Sequence, residues 1–237
     1  MIVIFDLDET LGYFLQFSIF YDCLNNYLLI NKNYSLNQQD FVSLLDLYPE
    51  FLRPNIMSIL NYLKHQKKNN HCDKIMIYTN NQRPEFWVTN IVFYFEHKLK
   101  LKLFDRIIYA FKINGRHTEL GRTTHEKTIN DLIICGNIDA NAKIFFLDDT
   151  YHKKMKNNNV YYLNIKPYIH NLEIERVIHR FNNSDFYVGF ENMDDINNII
   201  LKNMSKLSPY KNKDEYDIDK IISKQIIYHL QIFFKQK

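Results

Sequence analysis

The chain opens on a short apolar run that ends abruptly in carboxylates: Ile2-Val3-Ile4-Phe5-Asp6-Leu7-Asp8-Glu9-Thr10. Ile2 to Phe5 are all apolar and three of them are β-branched. That pattern predicts a strand buried on both faces, as in a parallel sheet covered by helices. In open α/β sheets ligands bind beyond the carboxyl ends of the strands, so Asp6 and Asp8 fall where chemistry is expected. Two carboxylates one residue apart repel unless a cation or a shared proton compensates. Mg²⁺ is the simplest compensation, a hard ion held by one or two carboxylates together with substrate phosphate oxygens. Asp-x-Asp also occurs in solvated turns and at helix caps, so the motif alone leaves both readings open.

Further strands are predicted at 74–78, 105–111, 142–147 and 160–165. Helices fall between them. Pro54 and Pro84 stand at the favoured first position of helices over 55–65 and 85–100. Thr123-Thr124-His125-Glu126 has a capping-box pattern and opens a third helix running through Asp131-Leu132-Ile133, with Lys127 in its first turn. Strands alternating with helices predict an α/β, Rossmann-like fold: a central parallel five-stranded sheet flanked by helices, with right-handed crossovers. The connection after the first strand exceeds one crossover helix, so residues 11–48 are expected to form a flap or small cap. A catalytic domain over 1–169 and a helical C-terminal extension over 170–237, packed on the core, complete the expected division.

At 237 residues, 46% hydrophobic and 15% aromatic, the chain can bury a sizeable core, and a net charge of +3 does not point to nucleic acid. Cys23, Cys72 and Cys135 are an odd number with no Cys-x-x-Cys, as expected of free thiols in a reducing compartment. The first strand begins at the initiator Met, leaving no room for a signal peptide, and residues 11–30 are too polar for a membrane span. The expectation is an intracellular, cytoplasmic protein with no membrane partner. The Asn-x-Ser sites at Asn33, Asn182 and Asn203 are then chance.

A second constellation sharpens the chemistry. The fourth strand ends Phe146-Leu147-Asp148-Asp149-Thr150, again an apolar run terminating in paired carboxylates. The second ends Tyr78-Thr79-Asn80-Asn81, placing a hydroxyl and amides at the same sheet edge, within reach of Lys127. Phosphoryl transfer needs such a set: a nucleophile, a metal, and positive or dipolar partners for the phosphoryl oxygens.

DLDET, then Thr79, then a helix-borne lysine, then FLDD, spread over residues 1–150, resembles the haloacid dehalogenase (HAD) superfamily in its phosphatase form. Within it, DLDETL followed by Leu52-Arg53-Pro54 and Asp131-Leu132 resembles the RNA polymerase II C-terminal-domain phosphatases and the NLI-interacting-factor-like proteins. TNNQRPEFWV, RTTHEKTINDLI and FLDDTYHKKM are most similar to versions encoded by large DNA viruses. That source implies a host cytoplasm or nucleus.

The resemblance implies a Mg²⁺-dependent phosphomonoesterase acting through an aspartyl-phosphate. Asp6 is then the nucleophile and Asp8 the acid and base, with Thr10 holding Asp8. Mg²⁺ sits on Asp6, the Asp8 main-chain carbonyl and a carboxylate of the Asp148–Asp149 pair, with Asp149 preferred. Thr79 holds phosphoryl oxygens and Lys127 offsets negative charge. The relatives usually carry their lysine immediately before the Asp-Leu pair, where this chain has Asn130, so Lys112 remains the fallback for Lys127. They also have Thr-Ala-Ser where Thr79-Asn80-Asn81 stands here.

Asn80, Arg116 and Arg122 are further candidates for binding the phosphorylated substrate, with His117 and His125 nearby; a solvated basic loop is the competing reading. The run Tyr13, Phe14, Phe17, Phe20, Tyr21 is expected to pack in a core. The preferred substrate is a phosphoserine or phosphothreonine protein. The alternatives are a nucleic-acid 3′-phosphatase or nucleotidase, in which nucleic acid enters only as substrate, and a non-catalytic phosphate-binding scaffold. A receiver domain is excluded, because its phosphoaccepting Asp follows the third strand and none does here. Oligomeric state is left open.

Overall fold

A computed structural model describes residues 1–186, 193–207 and 213–236. The strands are β1 (Ile2–Phe5), β2 (Lys74–Tyr78), β3 (Arg106–Ile108), β4 (Lys112–Ile113), β5 (Arg116–His117), β6 (Ile144–Asp148) and β7 (Val160–Asn164). The helices are α1 (Leu15–Lys32), α2 (Gln38–Asp46), α3 (Ile56–Lys68), α4 (Glu85–Leu99), α5 (Ile129–Gly136), α6 (Ile174–Asn182), α7 (Met193–Met204) and α8 (Lys213–Lys235). Five strands form one parallel sheet in the order β3-β2-β1-β6-β7, and the expected α/β, Rossmann-like architecture is present.

The register aligns the strand ends. Phe5 of β1 lies opposite Ile77 of β2 and Leu147 of β6, so the residues that follow emerge side by side at one edge. Chain order reverses at β1, and such a switch point leaves a crevice beyond the strand ends. Alternation explains the unbroken apolar runs. Ile2 and Ile4 join Met76, Tyr78, Ile144 and Phe146 in a cluster closed by Leu132 of α5. Val3, Phe5, Ile75, Ile77 and Phe145 are equally buried on the other side, where Phe145 meets Phe233 of α8 with ring centroids 5.5 Å apart.

Several boundaries differ from expectation. The third strand stops at Ile108 rather than running to residue 111. Beyond it the chain makes the hairpin β4–β5, whose turn residues Asn114 and Gly115 both have positive φ (51° and 79°), as a tight two-residue turn requires. Neither proline occupies the first helical position. Pro84 is itself the N-cap of α4, and Asn55, at φ 61°, stands between Pro54 and α3. The third helix is capped by Thr128, whose side chain accepts from the Asp131 N–H, and not by Thr123. The Asp131 carboxylate instead accepts from the Thr123 amide (3.1 Å) and hydroxyl (2.9 Å), which pins the loop before the helix. Lys127 therefore precedes α5 rather than sitting in its first turn.

The chain divides into two compact units, and not at residue 169. The first comprises Met1–Gly12, Arg53–Tyr168 and Asp217–Lys237, and carries the sheet; the second comprises Tyr13–Leu52 and Ile169–Tyr216. The insertion is thus no independent flap over 11–48, and residues 170–237 are shared between the units. Within the second unit, the Gln16 side chain bonds both main-chain groups of Leu172 (2.8 and 2.7 Å), and the Tyr48 hydroxyl donates to the Val177 carbonyl (2.9 Å). Phe17 packs edge-on to Phe41, and Phe20 packs against Tyr48 and Phe181. A helical pair of this length cannot bury such rings alone, which is why the two segments associate. None of the described helices is long and apolar enough to cross a membrane.

Candidate functional site

A cavity of about 270 Å³ lies at the carboxyl edge of the sheet. It is lined by Asp6, Asp8 and Glu9 after β1, Thr79, Asn80 and Asn81 after β2, Lys127 before α5, and Asp148, Asp149, Thr150 and His152 after β6. The level register of β1, β2 and β6 brings these segments together although they lie far apart in the chain.

At the floor, the Lys127 ammonium donates to Asp6 Oδ1 (2.5 Å) and Asp148 Oδ2 (2.7 Å). All three side chains are buried. Between the two candidate lysines, geometry selects Lys127; Lys112 lies over the Phe111 ring, outside the cavity. Asp6, Asp148 and Asp149 each offer a carboxylate oxygen, and these atoms lie within 4.8 Å of one another, a donor set suited to a hard divalent cation. Asp148 is heavily committed, to Lys127, to the Thr150 N–H (2.8 Å) and to His152 Nε2 at 3.5 Å. Asp149 accepts from the hydroxyls of Thr10 (3.2 Å) and Thr150 (3.4 Å) and makes no hydrogen bond to Lys127, and so keeps more acceptor capacity for an ion.

Titration follows from this packing. Burial pushes the Asp6 carboxyl well above the usual range, Lys127 opposes the rise, and Asp148 and Asp8 add to it. Burial also acts to raise Asp148, but Lys127 and the His152 contact outweigh it and hold that carboxyl low. Burial raises Asp8 as well, and the Asn81 hydrogen bond pulls the other way. Burial would lower Lys127, yet its two carboxylate partners raise it above an ordinary lysine. The cluster therefore keeps a permanent cation between one firmly ionised carboxylate and one that gains a proton readily.

The turn after β2 is built for donation. Thr79 Oγ1 accepts the Asn81 N–H (3.0 Å), leaving its own hydroxyl hydrogen to be given elsewhere. Asn81 is locked by accepting the Arg83 N–H (2.8 Å), and its amide donates to Asp8 Oδ2 (2.7 Å). The turn after β1 is held by Arg53, whose buried guanidinium donates to the carbonyls of Glu9 and Thr10 (both 2.6 Å) and Lys166 (3.0 Å). Glu9 sits there at φ 58°, uncommon for a residue with a side chain.

Three predicted roles change. Thr10 bonds Asp149, accepting its N–H and donating to its carboxylate, and does not hold Asp8. Arg122 is buried and spends its guanidinium on the carbonyls of Thr79 (3.1 Å), Tyr109 (2.9 Å) and His125 (3.0 Å), so it buttresses the site without lining it. Arg116 lies exposed on the β4–β5 hairpin, outside the cavity lining. Asn80 does line the cavity, but Asn81 makes the contact to an acid. The sequence marks Asn81 only as an amide at the sheet edge and does not single out His152, Glu9 or Asn164, whose amide bonds the Asp148 and Asp149 carbonyls (both 2.9 Å). Polar residues directly after a buried strand were the available signal for the first three.

No protein-family model and no curated protein matches this chain.

Proposed function

We propose that the protein is a Mg²⁺-dependent phosphomonoesterase of the HAD phosphatase type, acting on phosphoserine or phosphothreonine in a protein segment. The observation that carries this reading is the Lys127 ammonium bridging Asp6 and Asp148, with Asp149 within metal-sharing distance and Asp8 held apart by Asn81. Two carboxylates in different environments divide the labour of an acid and a nucleophile.

An Asp6 oxygen attacks phosphorus as the bond to the leaving oxygen breaks, giving an aspartyl-phosphate, and Asp8 delivers its proton to that oxygen. Asp8, now a carboxylate, takes a proton from the water that attacks the same phosphorus, releasing phosphate and restoring Asp6. The raised Asp8 pKa suits the first half of this cycle. Asp6 must be ionised to attack, although burial favours its protonated form, and Lys127 supplies part of the compensation. Mg²⁺, held by Asp6, the Asp8 carbonyl and Asp149, would supply the rest of the positive charge for nucleophile and phosphoryl oxygens. The Thr79 hydroxyl donates to a phosphoryl oxygen.

The test is hydrolysis of p-nitrophenyl phosphate with Mg²⁺, comparing wild type with Asp6→Asn. Turnover that disappears in the variant and on chelation is expected. Equal turnover by both proteins removes Asp6 as nucleophile, and no turnover of this ester or of a phosphoserine peptide by folded, Mg²⁺-loaded wild type removes the phosphatase reading.

A further inference from the structure

We infer that the site selects phosphomonoesters whose neighbouring groups are basic, such as a phosphorylated segment flanked by lysine or arginine, and rejects those carrying a second anionic group. This rests on the phosphatase reading above. The cavity lining holds five carboxylates, Asp6, Asp8, Glu9, Asp148 and Asp149, against the single lysine Lys127 and His152. Lys127 is buried and already divided between Asp6 and Asp148. The cations that the sequence offered for substrate charge do not line the cavity, and Arg122 is committed to three carbonyls. Arg83, whose charge reaches Asp8, also stands outside the lining, over the Trp87 ring at 4.5 Å. One divalent ion and one phosphoryl dianion cancel each other, so the loaded site keeps its excess of negative charge.

Glu9 gives that excess a position. Asp6, Asp8, Asp148 and Asp149 all accept hydrogen bonds within the site, whereas the Glu9 carboxylate has no hydrogen-bond partner among the described residues. It is partly exposed, and its main chain is pinned by Arg53 and the Tyr168 N–H on its carbonyl (2.6 and 2.8 Å) and by its own N–H on Gly12 (2.7 Å). A substrate cation beside the phosphoryl group meets a carboxylate whose backbone is already fixed. A second phosphate of a nucleotide or nucleic acid meets repulsion, and the one lysine in the lining is already divided between Asp6 and Asp148.

The test uses the full chain with Mg²⁺ and four substrates. They are p-nitrophenyl phosphate, two phosphoserine peptides differing only in Arg or Glu flanks, and a 3′-phosphorylated oligothymidylate. The Arg-flanked peptide is expected to exceed the Glu-flanked one by about tenfold or more in kcat/KM at low salt, with the gap narrowing at about 0.5 M salt. Glu9→Gln narrows the gap through loss on the Arg-flanked peptide. Equal peptide rates, or preference for the acidic peptide or the oligonucleotide, while p-nitrophenyl phosphate is hydrolysed, overturn the selectivity and leave the phosphatase standing. No turnover of any of the four overturns both.

Discussion

Lys127→Met isolates the charge balance at the floor of the site. The methionine roughly keeps the volume and removes the cation from between Asp6 and Asp148. At 2.5 and 2.7 Å the two ion pairs are each worth roughly 6 kcal/mol at an effective dielectric near 20. Returning the lysine to water in the unfolded chain recovers several kcal/mol per ion, and one carboxylate of the variant can take up a proton. The expected net loss is then that of breaking a buried pair, about 3–5 kcal/mol. For a chain of this length that lowers Tm by roughly 6–20 °C. Lys112→Met, which touches no carboxylate of the site, is expected within about 0.5 kcal/mol of wild type.

The assay is thermal unfolding followed by circular dichroism, for both variants, with and without Mg²⁺. The ion replaces the missing charge in Lys127→Met, so it stabilises that variant more than wild type. At ten times its Kd the ion returns about 1.4 kcal/mol to whichever protein it saturates. An unchanged Tm in Lys127→Met would refute the assignment of Lys127 as the buried counter-ion. A loss that Mg²⁺ does not reduce would mean that the three carboxylates do not form a cation site.

Other perturbations probe separate links. Asn81→Leu removes the hydrogen bond that favours ionised Asp8, so the Asp8 pKa rises further; the basic limb of the kcat/KM profile should move to higher pH, and an unmoved limb would detach Asp8 from the acid role. Arg53→Met frees the carbonyls of Glu9, Thr10 and Lys166 and is expected to cost about 3 kcal/mol in urea unfolding, with a wild-type value refuting the clamp. In the second unit, Glu50 takes a two-pronged contact from Arg180 (2.7 and 2.5 Å), which outweighs burial and lowers its pKa. A depressed carboxyl stabilises above its unfolded pKa, so Glu50→Gln should lose about 1 kcal/mol at neutral pH, a deficit that shrinks as pH falls below 4.5 and closes once pH is below the lowered folded value. A pH-independent deficit would mean that lost packing, not charge, is responsible.

What the sequence could announce was set by locality. The ends of β1, β2 and β6 are legible because an apolar run stopping at an acid or hydroxyl is a property of consecutive residues. Lys127 stands out for the same reason, but its position relative to the helix does not. Thr123-x-x-Glu126 and Thr128-x-x-Asp131 both match a helix-start pattern, and the choice falls to Asp131, whose N–H donates to the Thr128 side chain while its carboxylate accepts from Thr123. Arg122 shows the opposite limit. Its cationic side chain suggested phosphate, but the carbonyls of Thr79, Tyr109 and His125 converge on it only after three separate segments have folded. The Asn80–Asn81 pair is ambiguous until the Asn81 main-chain N–H turns onto the Thr79 hydroxyl, with the side-chain amide of the second asparagine, not the first, on Asp8.

The second unit was hidden for a thermodynamic reason. Its aromatic run reads as core from spacing alone, but nothing in residues 13–52 names the partner that closes that core. Gln16 meets Leu172 across 156 positions of chain, and Phe20 meets Phe181, contacts whose cost in loop closure grows only slowly with length. Distant segments can therefore pair as readily as near ones, provided that the polar groups they bury are matched. Gln16 meets that condition in full, its amide both giving to and taking from the main chain of one residue, Leu172. Gln16→Leu keeps the size but orphans the Leu172 N–H and carbonyl, and about 1–3 kcal/mol should be lost from the second unit. Asp6, Asp8 and Lys127 lie in the other unit, so a Gln16→Leu protein that unfolds earlier in the second unit and still binds Mg²⁺ would show that the two cores are built on separate terms.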